Sequence, residues 1–404
     1  MNLTCDKDKF LLKFSKIFTN KTINLTEIRE IVSNGLPNNK VRQKLWSFIL
    51  ELENIKQTNE ETEIIHHKDT EQIKQDVDRC YWKESLKWSE SKKEEERENL
   101  EKMVNQIMIK NGDLYYYQGF HEICSIIQVV YGSKKGKLVS EQIALHYIRD
   151  NMNKNFKVVL KYLHLIFQLI KHVDEELYEF LNEASMDPCF ATSWVLTWFA
   201  HVVPDIDTVL RLFDFFIAEG PFMPYYFSAA LVLYNNNLIL NKCPPIMSEV
   251  FKFLQSLVFN MNVEDVILIS QKLFKLFPPI LLLNELDAKI SQDFHFLNFS
   301  LFDSQRTFQN SVQFQNDFLA NLPNAKNSSF PSIIIQSKNQ NNNSLFKSFK
   351  NRELQLHKLI SSKFEKDNPL RILISNRNAT SFFYKLIRIF IAIIVLFFAM
   401  TIFV

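Results

Sequence analysis

Glycine is scarce in this chain, with six in 404 residues. Tight hairpins, dinucleotide-binding turns and phosphate cradles all use glycine at positive φ, so the sequence has little material for any of them. Cysteine is sparse and scattered. Cys5, Cys80, Cys124, Cys189 and Cys243 contain no Cys-x-x-Cys pair, which suits reduced cytosolic thiols better than a disulfide framework. An excess of one charge is also missing. Lys+Arg 47 against Asp+Glu 45 leaves +2, so no basic field calls for nucleic acid. The first residues carry Asp6, Lys7, Asp8 and Lys9 without a long apolar run, and no secretory signal is expected. Asn2 does not fit myristoylation, and the final Thr-Ile-Phe-Val has no prenylation cysteine.

What is present reads as all-α. Hydrophobic residues at 47% and charged residues at 23% are ordinary globular values, which excludes a wholly disordered chain. Residues 1–19 form an N-terminal segment, and residues 20–298 read as one helical domain. Within it, apolar residues between Val158 and Ile170 recur around nearly the whole circumference, which predicts a helix buried on all sides. Ile206 to Ile217 is more amphipathic, with Arg211 and Asp214 expected opposite much of the apolar set. Gly112-Asp113, Gly220-Pro221, Pro244-Pro245 and Pro278-Pro279 punctuate the helices.

From residue 299 to 383 the composition shifts to Asn and Gln, a flexible linker with a short helix expected around Arg352 to Phe364. Residues 389–404 are apolar except Thr401. A helix over 384–404 is about 32 Å long, close to the hydrocarbon thickness once Lys385 and Arg388 snorkel. A core helix fits so continuous an apolar run poorly, and a lipid-anchor signal needs a secretory entry segment. A single-span tail anchor fits, with Arg371, Arg377, Lys385 and Arg388 on the cytosolic side.

Two motifs look like metal or phosphate sites and fail on spacing. Gly132-Ser-Lys-Lys-Gly136-Lys137 has three residues between its glycines, not four, and Leu138 where a magnesium-binding hydroxyl belongs. It reads as a basic surface turn. His121-Glu122 begins like a zinc-protease helix, but Ser125 occupies the second histidine position. No metal and no cofactor are expected.

Three short segments stand out by their order. Arg42-x-x-x-Trp46 follows a Gly35-Leu36-Pro37 turn. Ile73-x-x-Asp76-x-x-Arg79 lines roughly one helix face. Tyr116-x-Gln118-Gly119 sits near a loop, with Gly119 permitting close backbone approach. Singly, each has a structural reading: Arg79 pairing with Asp76 or Asp78, Gln118 as a loop amide, Trp46 as core. In sequence order they resemble the signature of the TBC-domain Rab GTPase-activating proteins. Leu177-Tyr178, Phe190-x-x-x-Trp194-x-x-x-Trp198 and Arg211-x-x-Asp214 extend the resemblance, and the C-terminal anchor is similar to the tail-anchored, endoplasmic-reticulum branch. Two departures are Cys80, where many members have threonine, and Asp78 beside Arg79.

The resemblance implies an activator rather than an enzyme. Arg79 is then an arginine finger and Gln118 a glutamine finger, both supplied in trans to a GTP-loaded Rab. Asp76, Tyr116 and Gly119 support them, and Arg42, Trp46, Arg211 and Asp214 are structural. Guanidinium chemistry fits that role, because it is always charged and donates two hydrogen bonds to phosphate at once. A carboxamide can accept from the attacking water and donate to the γ-phosphate. GTP and Mg²⁺ belong to the partner, and the second partner is the endoplasmic-reticulum bilayer. The rival reading is an inactive membrane-tethered scaffold that binds a Rab without turnover.

Overall fold

Side-chain caps start five of the described helices. Asn38 accepts from the Val41 N–H to open α2 (Asn39–Ile49), which follows α1 (Leu25–Ser33). After α3 (Thr70–Asp78), Ser89 accepts from Lys92 N–H and opens α4 (Glu90–Lys110). Next come α5 (Phe120–His146) and α6 (Lys157–Val173). Asp174 caps α7 (Glu175–Glu183) through the Leu177 N–H, before the short α8 (Thr192–Leu196). Asp205 caps α9 (Ile206–Glu219), which leads to α10 (Met223–Tyr234), α11 (Asn236–Lys242) and α12 (Met247–Ser256). Asn262 caps α13 (Val263–Leu276). Each such cap satisfies an N–H that the first turn leaves without an intrahelical partner.

The computed structural model describes residues 25–52, 67–80 and 88–277, with residues 22–23, 279, 282–283 and 308–309 besides. They fall in one unit, Met1–Ile333; a second, Ile334–Val404, lies outside the described residues. Thr22–Ile23 pairs antiparallel with Phe308–Gln309, and every other described element is helical. The short helix expected at residues 352–364 and the tail anchor at 384–404 lie outside the described residues. No described helix is long and apolar enough to cross a membrane.

The core is aromatic. Trp198 meets Phe213 edge-on at 5.2 Å and Phe216 at 5.8 Å, and Phe199 meets Phe227 at 5.0 Å. Edge-to-face pairs at these separations add about 0.5–1.5 kcal/mol each beyond the area they bury. They lock a turn of unusual backbone, because Trp198 and Phe199 both have positive φ, 50° and 64°. For bulky L-residues that region is strained, and the packed rings hold them there.

Two expectations from the sequence change. α6 is not buried on all sides: Leu160, Lys161, His164 and Lys171 are exposed opposite Val159, Tyr162, Leu163 and Ile166. The enclosed helix is α10, buried at every position from Met223 to Val232 against α6 and α13. Asp214 is not on a wetted face of α9 but fully buried. Gly132 to Lys137 lies at the surface as expected: α5 is broken at Gly132, whose backbone is non-helical (φ 71°, ψ 170°), and helix resumes beyond it with Lys134 and Lys135 in water and Gly136 buried near Met103.

Candidate functional site

A buried tie fixes the N-terminal helices to α9. Asp214 accepts from Arg42 Nε at 3.1 Å and Nη2 at 2.9 Å, from Trp46 Nε1 at 2.9 Å and from the Leu36 N–H at 2.9 Å. Arg42 Nη2 also donates to Leu36 O at 2.9 Å. The preceding turn needs glycine: Gly35 has φ +88°, and a Cβ there would lie 2.8 Å from Arg211 Cδ. Arg211 itself spans to Glu264, Nε at 2.7 Å and Nη2 at 2.9 Å. Arg42, Trp46 and Asp214 thus tie α2 to α9, and Arg211 ties α9 to α13.

Packed on α4 and α5, α3 ends at Arg79, the residue that caps it. Its Nε donates to Gln75 O at 3.0 Å, one of the carbonyls the last turn leaves open, and its Nη2 donates to Asp76 Oδ1 at 2.8 Å. The Arg79 side chain is nonetheless 68% exposed, whereas that of Asp76 is 2% exposed. The arginine is therefore tethered at its inner edge and open to a partner. Asp78 is not in an ion pair with it among the described residues; the pairing goes to Asp76.

The other carboxylate oxygen of Asp76 reaches the second motif. Tyr116 Oη donates to Asp76 Oδ2 at 2.9 Å and lies 3.1 Å from His121 Nδ1. Burial, then the neighbouring Asp76, pushes the Tyr116 phenol well above its ordinary range, so it stays protonated. Gln118, two residues on, is exposed in the turn that opens α5. Gly119 lets that turn sit low: its φ is +122°, and a Cβ would lie 3.1 Å from Thr197 Cγ2. Tyr117 closes the turn by donating to Leu196 O at 2.9 Å. Arg79 and the Gln118 turn are thus joined through Asp76 and Tyr116, both buried.

Spacing in the sequence hides one grouping. Cys80, His121 and Glu122 place one ligand atom each within 4.8 Å of one another. Burial lowers the His121 imidazole from its ordinary pKa, against the opposing pull of Glu122 and Asp76. His201 joins from the turn after α8, its Nδ1 3.1 Å from Glu122 Oε1. Cys80 stands out in the sequence only as the residue after Arg79, and no spacing rule connects it to positions forty residues on.

The family model described as the Rab-GTPase-TBC domain matches residues 39–240, half of the chain. TBC1 domain family member 20 of Bos taurus is 32% identical over 265 residues, 64% of each chain, and its Homo sapiens counterpart is 31% identical over 269. The chain thus spans just under two thirds of the length of these relatives. The GTPase-activating protein gyp10 of Schizosaccharomyces pombe is 38% identical over 144 residues, 36% of this chain and 39% of the relative. Two solved structures share the fold. The Chlamydomonas flagellar RabGAP TBC domain (TM-score 0.52, 15% identity) covers 66% of this chain and 90% of its own. The Ypt/Rab-GAP domain of Gyp1p (TM-score 0.51, 18% identity) covers 66% and 97%. An all-helical fold, the ordered motifs and the matched half of the sequence agree, and the chain belongs to the Rab-GTPase-TBC domain family.

Proposed function

We propose that the chain accelerates GTP hydrolysis by a membrane-bound Rab, inserting Arg79 and Gln118 into the partner's nucleotide site. The observation that carries this is the exposed guanidinium at the end of α3, tethered by Asp76, which Tyr116 in turn ties to the glutamine's turn. A GTPase transition state spreads negative charge over the γ-phosphoryl group and its bridge oxygen. Arg79 opposes that charge, and Gln118 orients the water. Asp76 and Tyr116 position the arginine and touch no substrate. GTP and Mg²⁺ are held by the Rab, and the chain contributes side chains only. The names of the relatives support the same activity.

Single-turnover hydrolysis by a panel of GTP-loaded Rabs tests it. Arg79→Ala is expected to cost about 10³–10⁵ in maximal rate, the span found for arginine fingers in other GTPases, while the Rab still binds. Arg79→Lys rescues little, because an ammonium lacks the planar fork. A folded Arg79→Ala protein with near-wild-type hydrolysis at saturation overturns the proposal in favour of a scaffold that binds without turnover.

The sequence of residues 384–404 supports a tail anchor in the endoplasmic-reticulum membrane, with the helical domain in the cytosol. The Asn- and Gln-rich composition of residues 299–383 supports a linker, and a flexible chain of that length has a root-mean-square reach of about 46–55 Å, enough to meet a Rab on the same bilayer. Deleting residues 384–404 should release the chain from membranes and spare hydrolysis in solution. Retention on membranes after a high-salt wash refutes the anchor.

A further inference from the structure

We infer that Cys80, His121 and Glu122 form a binding site for a divalent transition-metal ion of the zinc class. Their donor set is one thiol sulfur, one imidazole nitrogen and one carboxylate oxygen, the mixed N, S and O set that zinc takes. A tetrahedral ion with bonds of about 2.0–2.3 Å holds its ligand atoms roughly 3.3–3.7 Å apart. Cys80 Sγ lies 3.9 Å from Glu122 Oε2, and His121 Nε2 lies 3.7 Å from Glu122 Oε1. Those two contacts use different oxygens of the carboxylate; with one atom from each residue the set lies within 4.8 Å, so side-chain movements of about an ångström close it around an ion.

Proton accounting on the neighbouring hydrogen bonds points the same way. Tyr116 has a single hydroxyl proton, and it is donated to Asp76. The phenol oxygen therefore accepts from His121 Nδ1–H, at 3.1 Å. The imidazole's other nitrogen, Nε2, is the one turned toward Glu122. The Asp76–Tyr116–His121 chain is also what a ligating histidine needs on its far nitrogen, since such a partner fixes ring orientation and tautomer.

The site has a way in. Cys80 and His121 are buried, Glu122 is partly open, and His201 stands at the solvent edge against Glu122 with its side chain 61% exposed. The sequence argument against zinc, that Ser125 replaces a second helical histidine, applies to a helix supplying two ligands. Here the third ligand comes from the end of α3. The site stands on its own geometry and does not depend on Arg79 acting on GTP.

Cobalt titration of the full chain tests the inference, after chelation and with no added thiol. One equivalent of Co²⁺ should give the visible bands of a low-coordinate ion and the near-ultraviolet charge-transfer band of a cobalt–thiolate bond. Zn²⁺ should displace it. Cys80→Ser should abolish the charge-transfer band, and Glu122→Gln, which keeps the side chain's shape, should weaken binding at least tenfold. Cys189→Ser, which removes an exposed thiol elsewhere, should leave both unchanged. A wild-type spectrum without a thiolate band overturns the site, as does a band that survives Cys80→Ser or an affinity unmoved by Glu122→Gln.

Discussion

Removing Asp214 should unfold the protein or bring it close to unfolding, although the residue is a single carboxylate in the middle of a helix. Four donors converge on its carboxylate, two of them from a guanidinium whose residue is 8% exposed. In Asp214→Ala, Arg42 becomes a buried charge without its counter-ion, a change that costs about 3–5 kcal/mol in comparable pairs. The Leu36 and Trp46 N–H groups lose their acceptor as well, at about 1–3 kcal/mol for each group left buried and unmet. Those losses overlap, since one relaxation serves all the donors, so about 5 kcal/mol is a fair total. A domain has about 5–15 kcal/mol to lose. Urea unfolding followed by circular dichroism reads the change as a shift in midpoint, if soluble protein is obtained at all. Asp214→Asn should also be costly, because its amide puts donor hydrogens where donors already point. The pair Arg42→Met with Asp214→Leu should recover part of the loss by removing the buried charge, while the Leu36 and Trp46 N–H groups stay unmet. An Asp214→Ala protein within about 1 kcal/mol of wild type would refute the reasoning, since it requires that Arg42 find water or a new partner at no cost.

Other outcomes follow from the same geometry. Gln118→Ala should slow Rab hydrolysis less than Arg79→Ala, and the double variant should cost less than the product of the two, because groups acting on one transition state are not additive; a fully multiplicative loss in single-turnover assays counts against a shared step. Gly35→Ala should destabilise by about 1–3 kcal/mol, combining the positive-φ cost with the Arg211 clash, and thermal melting checks it. The Cys189 thiol is pushed up to about 11, first by burial and then by Asp187. Its reaction with a maleimide should therefore quicken about tenfold per pH unit above neutrality, following the thiolate; a plateau below pH 9 would contradict that assignment.

Sequence and structure agree best where the information is local. The helical class follows from the want of glycine and from apolar periodicity, and a Gly119 able to approach another backbone closely is anticipated by its place after Tyr116-x-Gln118. The burial of Asp214 is different. Periodicity along α9 assigns a carboxylate to the wet face, and only the arrival of Arg42 from 172 residues away makes the buried position tolerable. α6 misled for the opposite reason: Leu160 makes the apolar pattern look closed, yet it lies beside Lys161 and His164 on the solvent side. Gly132 carries a turn signal that the backbone honours with a non-helical kink, although helix resumes on its far side. Arg79 and Gln118 stand out in the sequence because their spacing matches a family signature. The Cys80, His121 and Glu122 grouping has no such spacing, since it depends on how the end of α3 meets the start of α5.

The turn beneath Gly119 has a consequence for synthesis. Tyr117 is anchored by the Leu196 carbonyl, 79 residues later in the chain. At about 5–20 residues per second, a ribosome delivers that carbonyl roughly 4–16 s after Tyr117 itself has been added. During that interval Arg79, Gln118 and the tether between them already exist as sequence, without the floor that sets their separation. On the proposed function, a nascent chain halted before Leu196 should therefore carry Arg79 and Gln118 and yet fail to accelerate GTP hydrolysis by a Rab.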